Sequence, residues 1–358
     1  MRTIIKRHVT FLAAAAALAT ALVSLTGCAP KDKSGEIYQV LSRLPDDAAL
    51  VVAAKPAAIF NSQFIKSFSE IDLKMDKFSK GREECRAKIG LDPLADIDRV
   101  IVYTSDLKES FENNWAVILE GRFERFFLDS LTAKRDFVDS LCRMEDFQVH
   151  CLWEAGHDNS KKLYLYFAKD EMILTIRDSS MVRMLQLKKG GMGRTLADRK
   201  ELVGRILSLK FHDHLWFMIP TEGLMKDVLV KVRKKRPDFQ ADLLEITSIQ
   251  GGLKLDGELG VDLQADCSSE KPAKLLFDAA NGFLALGKLS AGVVPELRTI
   301  LDRVEIVQKA KTLEITLSLP AKDIQNLKNL DKSTSILIDR LISSQLAWLG
   351  ENSAGSAD

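Results

Sequence analysis

The chain is 358 residues long, 46% hydrophobic and 28% charged, with 51 Lys and Arg against 50 Asp and Glu. That apolar fraction is enough for a packed core and excludes an intrinsically disordered chain, while a formal net charge of +1 lacks the basic excess of a nucleic-acid binder. At roughly 150 residues per domain, the length allows two domains or one large one.

Arg2, Lys6 and Arg7 give the start of the chain a positive charge, and Phe11 to Leu25 follows as an unbroken run of apolar and small residues. At about fifteen residues the run suits the apolar region of a secretory signal peptide and is short for a ~20-residue membrane span. Leu25-Thr26-Gly27-Cys28 ends it. The segment resembles the lipobox of bacterial lipoproteins, in which a Leu stands three places before the Cys and small residues fill the gap. The resemblance covers residues 1–28. It implies cleavage before Cys28, diacylation of the Cys28 thiol and a new amino terminus open to acylation. Two or three acyl chains anchor stably where one is marginal. Ala29 follows; an Asp there commonly marks inner-membrane retention, so Ala resembles the outer-membrane pattern. The expected location is therefore the bacterial envelope, on the outer membrane facing the periplasm. Cleavage removes three basic residues and leaves 48 basic against 50 acidic, a net charge of −2.

Residues 28–35 form a short polar tether. Glu36 to Leu44 predicts a helix, ended because the residue before Pro45 avoids helical backbone. Ala48 to Ala54 (AALVVAA) is an apolar run of strand length, and Pro56 suits the first turn of a helix over Ala57 to Phe68. Lys77 to Ile89 is another helix, closed by Gly90. After a turn, Ile97 to Tyr103 and Trp115 to Glu120 are strands, and Glu124 to Leu131 and Ala133 to Leu141 read as helices. Gln148 to Glu154 and Lys162 to Ala168 are strands around a polar loop, Gly156 to Ser160. Glu171 to Arg177 completes a hairpin around Lys169-Asp170. Ser179 to Leu187 is a helix capped by Asp178 or Ser179.

The second half resembles the first. Leu215 to Ile219, Pro220 and a helix to about Arg233 repeat the strand-Pro-helix pattern, with Pro220 standing 164 residues after Pro56. Gly251 to Asp256 and Glu258 to Asp266 form a hairpin around Asp256-Gly257. Lys271 to Leu286 and Gly292 to Leu301 are helices, Val304 to Lys309 and Thr312 to Leu319 a hairpin, and Ala321 to Leu330 and Ile336 to Leu349 further helices. Hairpins separated by helices point to an α+β fold with mainly antiparallel sheets faced by helices. The repetition points to two duplicated units, 36–200 and 201–350, after a signal peptide (1–27) and before a disordered tail (351–358).

Four cysteines remain after Cys28. In an oxidising compartment Cys142 and Cys151, close in sequence, are the candidate disulfide pair, the alternative being four small buried thiols. His212 and His214 flank Asp213 at the approach to a strand, where residues two apart share a face and could share a metal. A third ligand would have to be His150, His157 or a distant carboxylate, and no metal is expected. Lys188 to Thr195 (KKGGMGRT) lacks the Gly-Lys-Ser/Thr ending of a phosphate loop and follows a helix, so it reads as a helix stop. Lys231 to Arg236 (KVRKKR) reads as a helix end suited to cations, and Asp92, Asp96 and Asp98 as turn and cap residues. GxSxG and HExxH are absent.

These features predict a lipid-anchored envelope lipoprotein acting as a non-catalytic binding or assembly module, without cofactor, whose partners are the membrane and an envelope protein. The mature region loosely resembles exported lipoproteins with repeated strand-helix units. The alternatives are a carrier whose apolar strands, such as Leu163 to Phe167 and Leu215 to Ile219, line a cavity, and a metal-dependent enzyme using His212 and His214.

Overall fold

A computed structural model describes residues 34–69, 75–107, 114–123, 137–154, 162–191, 193–221, 245–291 and 295–323. Cys28, His157, the helices predicted over 124–131 and after Pro220, Lys231 to Arg236, the helix over 336–349 and the tail lie outside the described residues. Continuous apolar strands dominate the middle of the chain. In β1 (Leu50–Ala54), Val51, Val52, Ala53 and Ala54 are all buried, as is every residue from Val100 to Thr104 of β2 (Ile97–Thr104). Strands buried on both faces read as apolar runs instead of alternating, so these must be covered on two sides.

The coverage is as that pattern requires. One face packs against α1 (Ser34–Leu41), α5 (Asp178–Lys188) and α6 (Lys200–Ser208) through Leu41, Met181, Met184, Leu185, Leu202 and Ile206. The other takes α2 (Pro56–Phe60) and α3 (Gln63–Ser69) through Ile59, Phe60 and Phe64, while Cys85 of α4 (Met75–Ile89) packs on its neighbouring strands. The helix predicted as one over Ala57 to Phe68 is two. Ser62 breaks it, its Oγ accepting from the Ile65 amide at 2.8 Å as a new helix cap.

Among the described residues, twelve strands form one antiparallel sheet. Besides β1 and β2 they are β3 (Ala116–Gly121), β4 (Phe137–Met144), β5 (Phe147–Glu154), β6 (Leu163–Phe167), β7 (Glu171–Thr175), β8 (Leu215–Pro220), β9 (Ile246–Lys254), β10 (Glu258–Cys267), β11 (Val304–Lys309) and β12 (Thr312–Pro320). Their order is β11-β12-β10-β9-β8-β1-β2-β3-β7-β6-β5-β4, so β1 and β8, from the two halves of the chain, pair in the middle. The class is α+β with antiparallel strands faced by helices. Helices α7 (Glu270–Ser290) and α8 (Pro295–Leu301) follow β10, and α7 packs on β10, β11 and β12.

One predicted helix is wrong. Residues Phe137 to Leu141 belong to β4, which pairs with β5 from Phe137↔Glu154 to Met144↔Phe147. The two strands are joined by Glu145 and Asp146, both with positive φ (49° and 68°), the geometry of a tight hairpin turn. By contrast the Asp256-Gly257 turn is where the sequence places it, with Gly257 at φ 70°. Among the described residues, no helix is long and apolar enough to cross a membrane.

Candidate functional site

Strand β10 alternates. Leu259, Val261, Leu263 and Ala265 point to one face, and Gly260, Asp262, Gln264 and Asp266 to the other. Register aligns Gln264 and Asp266 of the second set with polar residues on both neighbours, and Asp262 with one on β12. Asp262 lies between Gly252 and Thr316, Gln264 between Gln250 and Glu314, and Asp266 between Ser248 and Thr312. The result is a polar grid across β9, β10 and β12. Five of its side chains are almost fully buried: Ser248 and Gln250 at 0% exposure, Asp262 at 1%, Gln264 at 4% and Asp266 at 5%.

Helix α6 covers the grid and supplies its cation. Arg205 Nε lies 3.2 Å from Asp266 Oδ2, another of its nitrogens donates to Ser248 Oγ at 2.5 Å, and a third contact ties it to Glu201. Asp266 also accepts from Ser248 (3.0 Å), Gln250 Nε2 (2.8 Å) and Thr312 Oγ1 (2.6 Å). With its lone pairs occupied by four donors, this carboxylate serves as a hub and not as a general base. Asp262 is less well served. Its Oδ2 accepts from the Lys210 amide at 2.5 Å and Gln264 Nε2 at 3.3 Å, while Oδ1 is buried with no hydrogen-bond partner among the described residues. Burial pushes the Asp262 carboxyl above the usual Asp range; the charge of Glu314 adds to this and the Lys210 amide works against it.

Beside the grid an open groove of about 380 Å³ runs between α6 and the start of β12. Gln264 and Asp266 reach it from the floor, and Glu201, Lys309, Lys311 and Glu314 line its walls. Lys309 and Glu314 pair at 2.6 Å. A Cβ at Gly204, on the helix side, would meet no atom within 4 Å. Close packing constrains the far end of the grid: a Cβ on Gly252 would lie 1.6 Å from the Phe211 carbonyl oxygen. The groove presents hydrogen-bonding side chains and paired charges to solvent.

The sequence carries no sign that Asp262, Gln264 and Asp266 are covered. Their period-2 spacing shows that they share a face but not that α6 sits on it. Helix α6 is not among the elements the sequence predicts, though Leu202, Val203 and Ile206 fall at helical spacing.

His150 is placed apart from His212 and His214. His212 and His214 precede β8 in a loop, His212 Nδ1 sits 2.8 Å from the Leu209 carbonyl oxygen, and His214 is buried. His150 pairs instead with Asp139 across β4 and β5, at 3.0 Å. Among the described residues, no group of three or more His, Cys, Asp or Glu side chains could hold a metal ion. His212 and His214 do line a recess of about 20 Å³ together with Glu36, Lys55 and Arg99, room for about one water. The sulfurs of Cys142 and Cys151 are 2.08 Å apart and bonded, joining β4 to β5, while Cys85 and Cys267 are buried and lie outside that disulfide. Burial pushes the Cys267 thiol up to about 11, helped by the charges of Asp266 and Glu245. Asp92 binds Arg82 at 2.6–2.7 Å and the Leu94 amide at 3.0 Å, a turn-capping role. Gly190, in the glycine-rich segment, has φ 76° just after α5, as a helix stop does. The strands offered as cavity walls are core: Leu165, Leu215 and Met218 are buried.

No protein-family model and no curated protein matches the chain. Among solved structures, TP0453 in crystal form III is similar at 12% identity over 79% of this chain and 95% of that chain, with a TM-score of 0.42. Crystal form I of TP0453 gives 10% identity over 79% and 94%, with a TM-score of 0.34.

Proposed function

We propose that the chain is a lipid-anchored module of the bacterial cell envelope that works by binding, with the groove under α6 as its recognition surface. The observation that carries this reading is the buried polar grid beside an open polar groove. Burying polar groups opposes folding unless each is bonded, and here the network's cation, Arg205, and its hub, Asp266, both border the groove. A polar ligand or partner segment there would meet Lys311 and Glu201 at the walls and Gln264 below. The anchor rests on Leu25-Thr26-Gly27-Cys28 and the outer-membrane placement on Ala29.

Duplication of an ancestral unit is part of this reading. Outward from the central β1–β8 pair, one half runs β1-β2-β3-β7-β6 and the other β8-β9-β10-β12-β11. In each half the last two strands in the chain form a hairpin that returns to lie beside the third. A helix, α1 or α6, precedes the first strand in both. The first half carries β4 and β5 in addition.

Two variants test the proposal. Cys28→Ser should abolish acyl labelling and leave the uncleaved precursor in the membrane fraction; continued labelling contradicts the anchor. Lys311→Glu should leave the chain anchored and folded but remove its envelope crosslinks; unchanged crosslinks contradict the groove.

A further inference from the structure

Strand β4 ends the sheet on one side, and its outer backbone edge has no neighbour among the described strands. Exposed edges template association, and proteins usually blunt them with Lys, Pro, bulges or short strands. The opposite edge, β11, does so: it is six residues long, ends at Lys309, and Lys311 follows. The β4 edge is eight residues (FVDSLCRM), has no Pro or Lys, and pairs with β5 without a register shift. It also exposes apolar side chains, Leu141 at 61% and Val138 at 38%. The Cys142–Cys151 bond ties it to β5.

The order of residues along β4 is self-complementary. If a second copy lay antiparallel with Leu141 opposite its own counterpart, Asp139 would stand opposite Arg143 of the other copy, twice over. Asp139, Leu141 and Arg143 share one face by alternation. On the other face Val138 would meet Met144, and Ser140 would meet Cys142. Cross-strand apolar and opposite-charge pairs are what stabilise antiparallel neighbours, and the same patch on both partners gives a closed two-fold interface.

We infer that a second copy of this chain pairs with it edge to edge through β4, making one sheet continuous across a two-fold dimer centred on Leu141. The full chain in detergent should sediment with the mass of two chains. Leu141→Lys, at a side chain already exposed, should weaken association by about tenfold or more while the single chain still folds cooperatively. Arg143→Asp should do the same by facing Asp139 with a like charge. Adding Asp139→Arg to Arg143→Asp should restore the dimer. A single-chain mass at the highest attainable concentration would overturn the inference, as would a dimer indifferent to Leu141→Lys. Failure of the charge reversal to restore pairing in a chain that melts normally would overturn it equally.

Discussion

Arg205 of α6 and Asp266 of β10 meet at 3.2 Å beneath the helix, with exposures of only 14% and 7% for their side chains. The pair joins a helix from one part of the chain to a strand about sixty residues later, and it carries the polar grid with it. Removing one member of a buried pair strands the other. Arg205→Met is therefore expected to destabilise the chain by about 3 kcal/mol, read as a lowered denaturant midpoint. Arg205→Lys should recover only part of the loss, because an ammonium cannot fork to Ser248, Asp266 and Glu201 together.

Asp262 gives a pH signature. Burial raises its folded pKa above the unfolded value, so the stability it contributes is present below the unfolded pKa and is lost as pH rises through the folded one. Asp262→Asn, which keeps an acceptor for the Lys210 amide, should stabilise the chain by about 1 kcal/mol at neutral pH. Near pH 3 the advantage should vanish. An advantage equal at both pH values would contradict the raised pKa.

Glu36 should behave in the opposite sense. It pairs with Lys55 at 2.6 Å and with Arg99, and Arg99 reaches on to Glu120 at 2.8 Å. Burial pushes the Glu36 carboxyl up, but Lys55 and Arg99 outweigh it and hold the carboxyl below the usual Glu value. Its contribution is present above the unfolded pKa and lost as pH falls through the folded one. Glu36→Gln should cost roughly 0.5–1 kcal/mol at pH 7, allowing for solvent screening. At low pH, where Glu36 is protonated in both states, variant and parent should melt together.

At the β4–β5 turn, Glu145 holds φ 49° without glycine's freedom. Asn tolerates left-handed backbone better, so Glu145→Asn should raise stability by about 0.5 kcal/mol. Thermal melts should show the gain although the side chain's exposed bond from Gln186 (3.0 Å) is lost.

The same turn shows what the sequence conceals. Hairpins marked by Asp256-Gly257 or by apolar runs on both sides of Lys169-Asp170 are legible because turn chemistry and periodicity agree. At Glu145-Asp146 the turn residues are atypical, and Leu141 and Cys142 sit at spacings a helix also allows, so β4 passes for helix. The apolar runs of β1, β2 and β3 state that they are central, since only covered strands can be apolar on both faces. The polar grid states nothing comparable. Asp262, Gln264 and Asp266 have the pattern of a solvent-facing strand, and only the packing of α6 through Leu202 and Ile206 turns that face inward.

Recognition at the groove is tested most directly by placing a photoreactive side chain at Gly204, where a Cβ meets open space, in the full chain within its native envelope. Irradiation should yield a discrete adduct from Gly204 that is lost in Lys311→Glu, and none from Phe283, exposed on α7. Equal adducts from both positions, or an adduct indifferent to Lys311→Glu, would contradict the groove as a binding surface.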